Sequence, residues 1–184
     1  MLNRILKILL IFLALVLVVA FHVGFSYLLP YPISKVNIIF TVIILLLLWY
    51  NSGIIVWISF FSNLFIELFT VSPYGVVLFS STISVLIAYW LYQNFFTNRS
   101  IYAALVLTAF TIFIYRLFYI VIMFILKIFS MVSYVPWKLI FITSLWEILF
   151  TTILVSIFYF IFSVFTKKFK SSVVESSIFR YERK

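Results

Sequence analysis

The sequence predicts an all-α, polytopic bundle of about six transmembrane helices, because it is very apolar, carries few charges and divides into long apolar runs. Of its 184 residues, 67% are hydrophobic and 9% are charged, whereas about a quarter of the residues in a soluble domain are charged. A water-soluble fold of this size leaves roughly a third of its surface exposed. The chain lacks the polar residues to cover such a surface, and a lipid bilayer removes the need for them.

Six apolar runs define the predicted helices, since a helix needs about 20 mostly apolar residues to cross a bilayer. In order along the chain they are Ile8 to Leu29, Val36 to Tyr50, Ile54 to Phe69, Gly75 to Phe96, Ile101 to Leu126 and Leu139 to Phe165. The first run is too long for a cleaved signal peptide, so we expect it to be retained. These runs predict a helix bundle over residues 1–166, followed by a basic tail over 167–184.

The second and third runs are short for a full span, and the turn residues Asn51, Ser52 and Gly53 separate them. This turn signal predicts a tight hairpin of two helices. A single long, tilted helix with a kink at the same point is the alternative.

The distribution of basic residues predicts the orientation, because cytoplasmic loops are rich in Lys and Arg. With six spans, one side holds Arg4, Lys7, Arg99, Lys167, Lys168, Lys170, Arg180, Arg183 and Lys184. The other side holds Lys35, Lys127 and Lys138. We therefore predict a multi-pass protein of the inner (cytoplasmic) membrane with both termini in the cytoplasm. The basic tail then anchors the topology, with binding of anionic lipids as the alternative.

Several functional classes are excluded by composition. The chain has no cysteine and one histidine, His22, so we expect no disulfide, thiol chemistry, metal site or cofactor. The net charge of +9 does not indicate nucleic-acid binding, because the basic residues lie beside apolar runs. No phosphate-binding loop or Ser/His/Asp arrangement is present in the sequence, so we expect no catalytic site.

Three charged residues lie within apolar runs: Glu67, Arg116 and Glu147. Each costs about 2.5–3.5 kcal/mol to insert into lipid and should therefore face the bundle interior. At 1.5 Å per residue, Arg116 lies roughly 15 Å and Glu147 roughly 12 Å below the outer ends of two consecutive helices. These similar depths predict an intramembrane ion pair between Arg116 and Glu147.

Glu67 belongs to a polar stripe with Ser59 and Asn63, because a spacing of four residues places all three on one helix face. We expect Ser59 and Asn63 to hold the carboxylate. The stripe is either a structural contact between helices or a site for a partner, since intramembrane charges are commonly functional.

The order of these features resembles the MreD family of rod-shape-determining membrane proteins. The resemblance runs from about residue 32 to 168 and rests on Tyr31-Pro32, Asn51-Ser52-Gly53, Phe65-Ile66-Glu67-Leu68 and Pro73-Tyr74-Gly75. Glu67 matches the family's acidic residue, commonly an aspartate, and Gly75 matches a glycine that follows it. The resemblance implies a non-enzymatic subunit of the lateral cell-wall elongation machinery. Its implied partners are MreC, the MreB filament, the elongation transpeptidase and the RodA glycosyltransferase.

The alternative function is that of a transporter component. Substrate-binding components of energy-coupling-factor transporters are also small, basic proteins of six helices, and they resemble the MreD family. Such a vitamin-binding or small-molecule-binding subunit needs a polar pocket near its outer face, for which the candidate lining residues are His22, Glu67, Arg116 and Glu147.

Overall fold

The computed structural model describes residues 2–50, 52–96, 100–132 and 134–165, and these form an all-α bundle of six helices. The helices are α1 (Leu2–Leu28), α2 (Ile38–Tyr50), α3 (Ile54–Glu67), α4 (Val76–Asn94), α5 (Ile101–Ile128) and α6 (Trp137–Phe165). A short 3₁₀ turn, Ile33–Lys35, lies between α1 and α2. The predicted fold class and number of helices are confirmed. The helices α2 and α3 pack against each other as a hairpin, so the kinked single helix is not formed.

Local sequence explains where several helices begin. Asn37 precedes α2, and its side-chain Oδ1 accepts a hydrogen bond from the backbone N–H of Phe40 at 3.1 Å. Ser100 precedes α5, and its hydroxyl accepts from the N–H of Ala103 at 3.2 Å. Such caps satisfy backbone donors that a helix leaves free in its first turn. The start of α4 has no cap of this kind, because the residue before it is Gly75.

Helix lengths divide the bundle into two groups. Four helices, α1, α4, α5 and α6, are long and apolar enough to cross a membrane. The other two, α2 and α3, have 13 and 14 residues and are therefore about 20 Å long at 1.5 Å per residue. That is shorter than the roughly 30 Å hydrocarbon core of a bilayer. The hairpin of α2 and α3 thus does not supply two further complete spans.

Contacts with α6 show the height of this hairpin in the bundle. The backbone N–H of Asn37, just before α2, donates to Thr151 Oγ1 at 2.9 Å, and Thr151 lies at the midpoint of α6. Near the other end of α2, the Trp49 ring meets the Phe162 ring with their centroids 6.1 Å apart. The helix α2 therefore lies beside only the second half of α6.

The centre of the bundle is built around α2. Its residues Phe40, Ile44, Leu47 and Leu48 are completely buried, and α2 contacts α1, α3, α5 and α6. A helix that is apolar on all sides fits such a buried position. By contrast, α1 exposes most of its large apolar side chains, as expected for a helix that faces lipid.

The two ends of the bundle hold different elements. The terminal end holds the start of α1, the α2–α3 turn and the end of α6, and the loop end holds the α5–α6 connection. The α1–α2 and α3–α4 connections face the loop end but lie deeper in the bundle, because α2 and α3 are short. The predicted cytoplasmic tail, 167–184, and Arg99 lie outside the described residues.

Candidate functional site

The structure brings the charged residues Arg116 and Glu147 together. Arg116 lies on α5 and Glu147 on α6, two neighbouring helices, and the Arg116 Nε and Nη2 groups both contact Glu147 Oε2. The side chains are 19% and 4% exposed, respectively. A buried pair of this kind offsets the large cost of removing each charge from water. The similar depths of the two residues in their helices are what allow this contact.

Asn37 is a third member of this cluster and was not among the site residues predicted from the sequence. Its Nδ2 donates to Glu147 Oε1 at 2.8 Å, while its Oδ1 caps α2. Its backbone carbonyl accepts from the Thr41 hydroxyl at 3.1 Å. Asn before an apolar run is a helix-start signal, so the cap could have been predicted. The contact with Glu147 could not, because 110 residues separate the two.

Two aromatic rings complete the surroundings of Arg116. The guanidinium carbon lies 5.3 Å from the centre of the Tyr115 ring and 5.6 Å from that of Tyr119. Cations within about 6 Å of an aromatic ring are attracted by its negative face, more strongly where water is excluded. One carboxylate and two rings therefore surround the guanidinium, and the carboxylate in turn binds Asn37.

Glu67 and Gly75 form a second cluster, on the side of the bundle that faces the loop end. Glu67 Oε1 accepts from the backbone N–H groups of Val77 at 3.1 Å and Leu78 at 3.5 Å, in the first turn of α4. A carboxylate is favourable there because the start of a helix carries partial positive charge. Gly75 has φ +94°, a left-handed conformation that glycine adopts without strain. The turn through Gly75 lets the last residue of α3 cap the helix that follows.

The burial of Glu67 agrees with the sequence expectation, whereas the hydrogen bonds of Asn63 do not. Glu67 is only 4% exposed, so its carboxylate faces the interior of the chain. Asn63 Nδ2 donates to the backbone oxygen of Ser59 at 2.8 Å and to the Ser59 hydroxyl at 3.3 Å. The expectation that Ser59 and Asn63 hold the carboxylate was therefore wrong. A spacing of four residues lets an asparagine bond back to its own helix instead.

Two buried polar atoms have no hydrogen-bond partner among the described residues: His22 Nδ1 and Glu67 Oε2. Within the described ranges, no group of three or more His, Cys, Asp or Glu residues could hold a metal ion. The contacts that the structure shows at the polar clusters are hydrogen bonds and one charge pair between helices.

A cavity of about 660 Å³ lies elsewhere, between α1, α2 and α6. Its walls are apolar and aromatic side chains, together with Thr41. None of the four residues expected to line a polar pocket, His22, Glu67, Arg116 and Glu147, contributes to its wall. This cavity is suited to an apolar occupant rather than to a polar small molecule.

Comparisons with protein-family models, with curated proteins and with solved structures found no match for this chain. Its polar residues hold neighbouring helices at fixed heights: Asn37 and Arg116 connect α2 and α5 to α6, and Glu67 connects α3 to α4.

Proposed function

We propose that this chain is a non-enzymatic integral membrane subunit that acts as a scaffold in the bacterial machinery for cell shape and lateral cell-wall elongation. One observation carries the proposal: each of the three intramembrane charges is bound by another group of the same chain. Charges within a membrane are costly unless they face the bundle interior and pair with one another or with the backbone. Here they fix the arrangement of the helices, which leaves the outer surface to contact partners.

The outer surface offers apolar helix faces to other membrane proteins. Large apolar side chains are exposed along α1, α5 and α6, where either lipid or a partner helix covers them. In lipid, helices associate through close packing and hydrogen bonds. We propose an MreC-like protein and the membrane proteins of the elongation complex as the partners, which is what the resemblance implies.

The proposed location is the inner membrane, with both termini in the cytoplasm. Six helices that alternate in direction bring the start of α1 and the end of α6 to the same end of the bundle. The basic residues of the sequence are concentrated toward that end, which favours the cytoplasm. Under this proposal the loop end, with the Glu67 cluster near it, faces the periplasm.

The test is co-purification from membranes of the native host, with Glu67→Gln as the variant. In the scaffold function the wild-type chain brings down an MreC-like protein. Glu67→Gln weakens that recovery at equal membrane abundance, because it loosens the α3–α4 turn. Thr70→Ser is a matched control, since its hydroxyl keeps the hydrogen bond to the Glu67 carbonyl, 3.0 Å in the wild type. Unchanged recovery in Glu67→Gln at unchanged abundance contradicts the role of this residue in assembly.

A transporter component is the second candidate, and one observation favours it. The helix α2 starts level with the midpoint of α6, and transporters commonly place helix starts at the middle of the membrane, where they bind substrate. In this chain Asn37 and Glu147 occupy that position. Co-purification with ATPase subunits, together with a small molecule that raises the thermal stability of the purified chain, would support the transporter and contradict the scaffold.

A further inference from the structure

The cavity between α1, α2 and α6 is a groove with a definite shape. Leu17 and Phe25 of α1 form one wall, Leu154 and Phe162 of α6 form the other, and α2 forms the floor. Thr41, the lining residue with a hydroxyl, donates it to the backbone oxygen of Asn37 at 3.1 Å. The volume of about 660 Å³ is within the range of about 300–1,000 Å³ that is usual for ligand sites.

The groove is closed at the loop end. There the 3₁₀ turn Ile33–Lys35 contacts both α1 and α6. The Ser26 hydroxyl on α1 donates to the backbone oxygen of Ser34 at 3.3 Å, which holds the turn against that helix. An occupant must therefore enter from the side or from the terminal end. The lateral route is open, because wall residues such as Leu17 and Phe21 are 61% and 62% exposed.

The length of the groove decides between possible occupants. Its floor runs from Ile38 to Trp49, about 16 Å at 1.5 Å per residue. Half of a hydrocarbon core of roughly 30 Å is about 15 Å, the depth of one leaflet. A transmembrane helix, whether from a partner or from a second copy, needs the whole core and a width of about 10 Å. The closed end prevents that, whereas one lipid tail fits.

Charge indicates the kind of head group. The groove opens toward the end of the bundle that holds the start of α1 and the end of α6. In the sequence, Arg4 and Lys7 belong to the start of α1, and Lys167 and Lys168 come soon after Phe165, the last residue of α6. Clusters of Lys and Arg beside a transmembrane helix attract anionic lipid head groups. We infer that the groove between α1, α2 and α6 binds an acyl chain of an anionic phospholipid from the leaflet at the terminal end. This inference does not depend on the proposed function.

Tryptophan quenching by brominated lipids tests this directly. Trp49 lines the groove, whereas Trp57 on α3 is 62% exposed and lies near the same end of the bundle. Full-length chains that keep only Trp49 or only Trp57, with the other four tryptophans changed to phenylalanine, are reconstituted into phosphatidylcholine bilayers. A small fraction of the lipid carries bromine on its acyl chains, with either a phosphatidylglycerol or a phosphatidylcholine head group.

We expect brominated phosphatidylglycerol to quench Trp49 with roughly fivefold higher affinity than brominated phosphatidylcholine. A preference of that size is what one basic residue near an anionic lipid surface provides. Trp57 should show no such preference. The double variant Leu46→Phe, Leu154→Phe narrows the groove and should reduce the quenching of Trp49. Ile153→Phe, at the exposed neighbour of Leu154, should leave that quenching unchanged.

Two results would overturn the inference. Equal quenching of Trp49 and Trp57 by both lipids means that the groove exchanges freely with bulk lipid. Protection of Trp49 from both lipids means that protein, rather than lipid, fills the groove. Native mass spectrometry of the unmodified chain gives an independent check that needs no substitution, because phosphatidylglycerol should remain bound at detergent concentrations that remove phosphatidylcholine. Retention of neither lipid would also contradict a specific site.

Discussion

Asn37 couples the start of α2 to Glu147 in the middle of the bundle. One end of its amide caps the helix by accepting from Phe40 N at 3.1 Å, and the other end donates to Glu147 Oε1 at 2.8 Å. Glu147 uses its second oxygen to bind Arg116. A single asparagine therefore determines the height at which a short helix lies against a long one, and it does so through a carboxylate that also holds α5.

Asn37→Ala should be strongly destabilising. The substitution removes a helix cap, worth about 1 kcal/mol, and leaves a buried carboxylate oxygen without its donor, at a cost of about 1–3 kcal/mol. The loss should appear as a lower unfolding temperature in detergent, measured by fluorescence-detected size exclusion. Asn94→Ala is the control, because the Asn94 side chain is exposed and donates to Trp90 of its own helix. An equal decrease of the unfolding temperature in the two variants would contradict a stabilising role for the Asn37 hydrogen bonds.

Arg116 and Glu147 should behave as a coupled pair in a double-mutant cycle. Arg116→Leu leaves the Glu147 charge without a counter-ion in the bundle, and the removal of one partner of a buried pair costs about 3–5 kcal/mol. The double variant with leucine at both positions should be more stable than Arg116→Leu and express at a higher level, because no lone charge remains. Additive losses, measured by the same unfolding assay, would show that the two side chains do not depend on each other.

Glu67→Leu should lower the stability of the chain more than Glu67→Gln does. The glutamine variant keeps an acceptor for Val77 N and loses only the charge at the start of α4, which contributes about 0.3–1 kcal/mol. Leucine at this position removes the acceptor as well, and hydrogen bonds to charged groups contribute about 1.5–3 kcal/mol. Thermal unfolding of the two purified variants gives the comparison. If both lose the same stability, the hydrogen bonds of Glu67 to α4 do not stabilise the fold.

Gly75→Ala should destabilise the turn before α4 by about 1–2 kcal/mol, the cost of a left-handed conformation for a residue with a side chain. Its φ is +94°, and a methyl group there would meet no other atom within 4 Å, so strain rather than crowding is responsible. Gly53→Ala is the matched control. Its φ is −61°, and the added carbon would meet Tyr89 Oη at an ordinary distance of 3.8 Å. A larger loss of stability in Gly53→Ala would contradict this interpretation.

The proposed orientation can be checked with single cysteines, since the natural chain has none. Tyr134→Cys lies on the α5–α6 connection and Phe95→Cys at the end of α4, both at exposed positions. A membrane-impermeant maleimide should label the cysteine at 134 in cells whose outer membrane has been permeabilised. The cysteine at 95 should react only after the inner membrane is opened. The reverse pattern would place both termini outside.

Much of the architecture could be predicted from the sequence, and the residues show why. Apolar runs of sufficient length, interrupted by Pro, Gly or Asn, have few alternatives to helices in lipid, where every backbone donor needs a partner within its own segment. The helices from Ile38 to Tyr50 and from Ile54 onward accordingly begin and end close to the predicted positions. The Arg116–Glu147 contact could be anticipated too, because depth along a straight helix is a matter of counting residues.

Tertiary structure alone decided which groups the remaining polar residues bind. Nothing in the sequence around Asn37 indicates a partner on α6, and the stripe spacing suggested the wrong partner for Asn63, which bonds to Ser59 rather than to Glu67. Helix periodicity states which side chains share a face, but the rotation of a helix and its height against a distant neighbour depend on packing across the whole bundle. Apolar runs and the high cost of a charge in lipid were enough to predict an apolar six-helix bundle with its charges turned inward and two short helices. The packed bundle was needed to place α2 against the second half of α6, to show that Glu67 caps α4, and to reveal a groove between α1, α2 and α6.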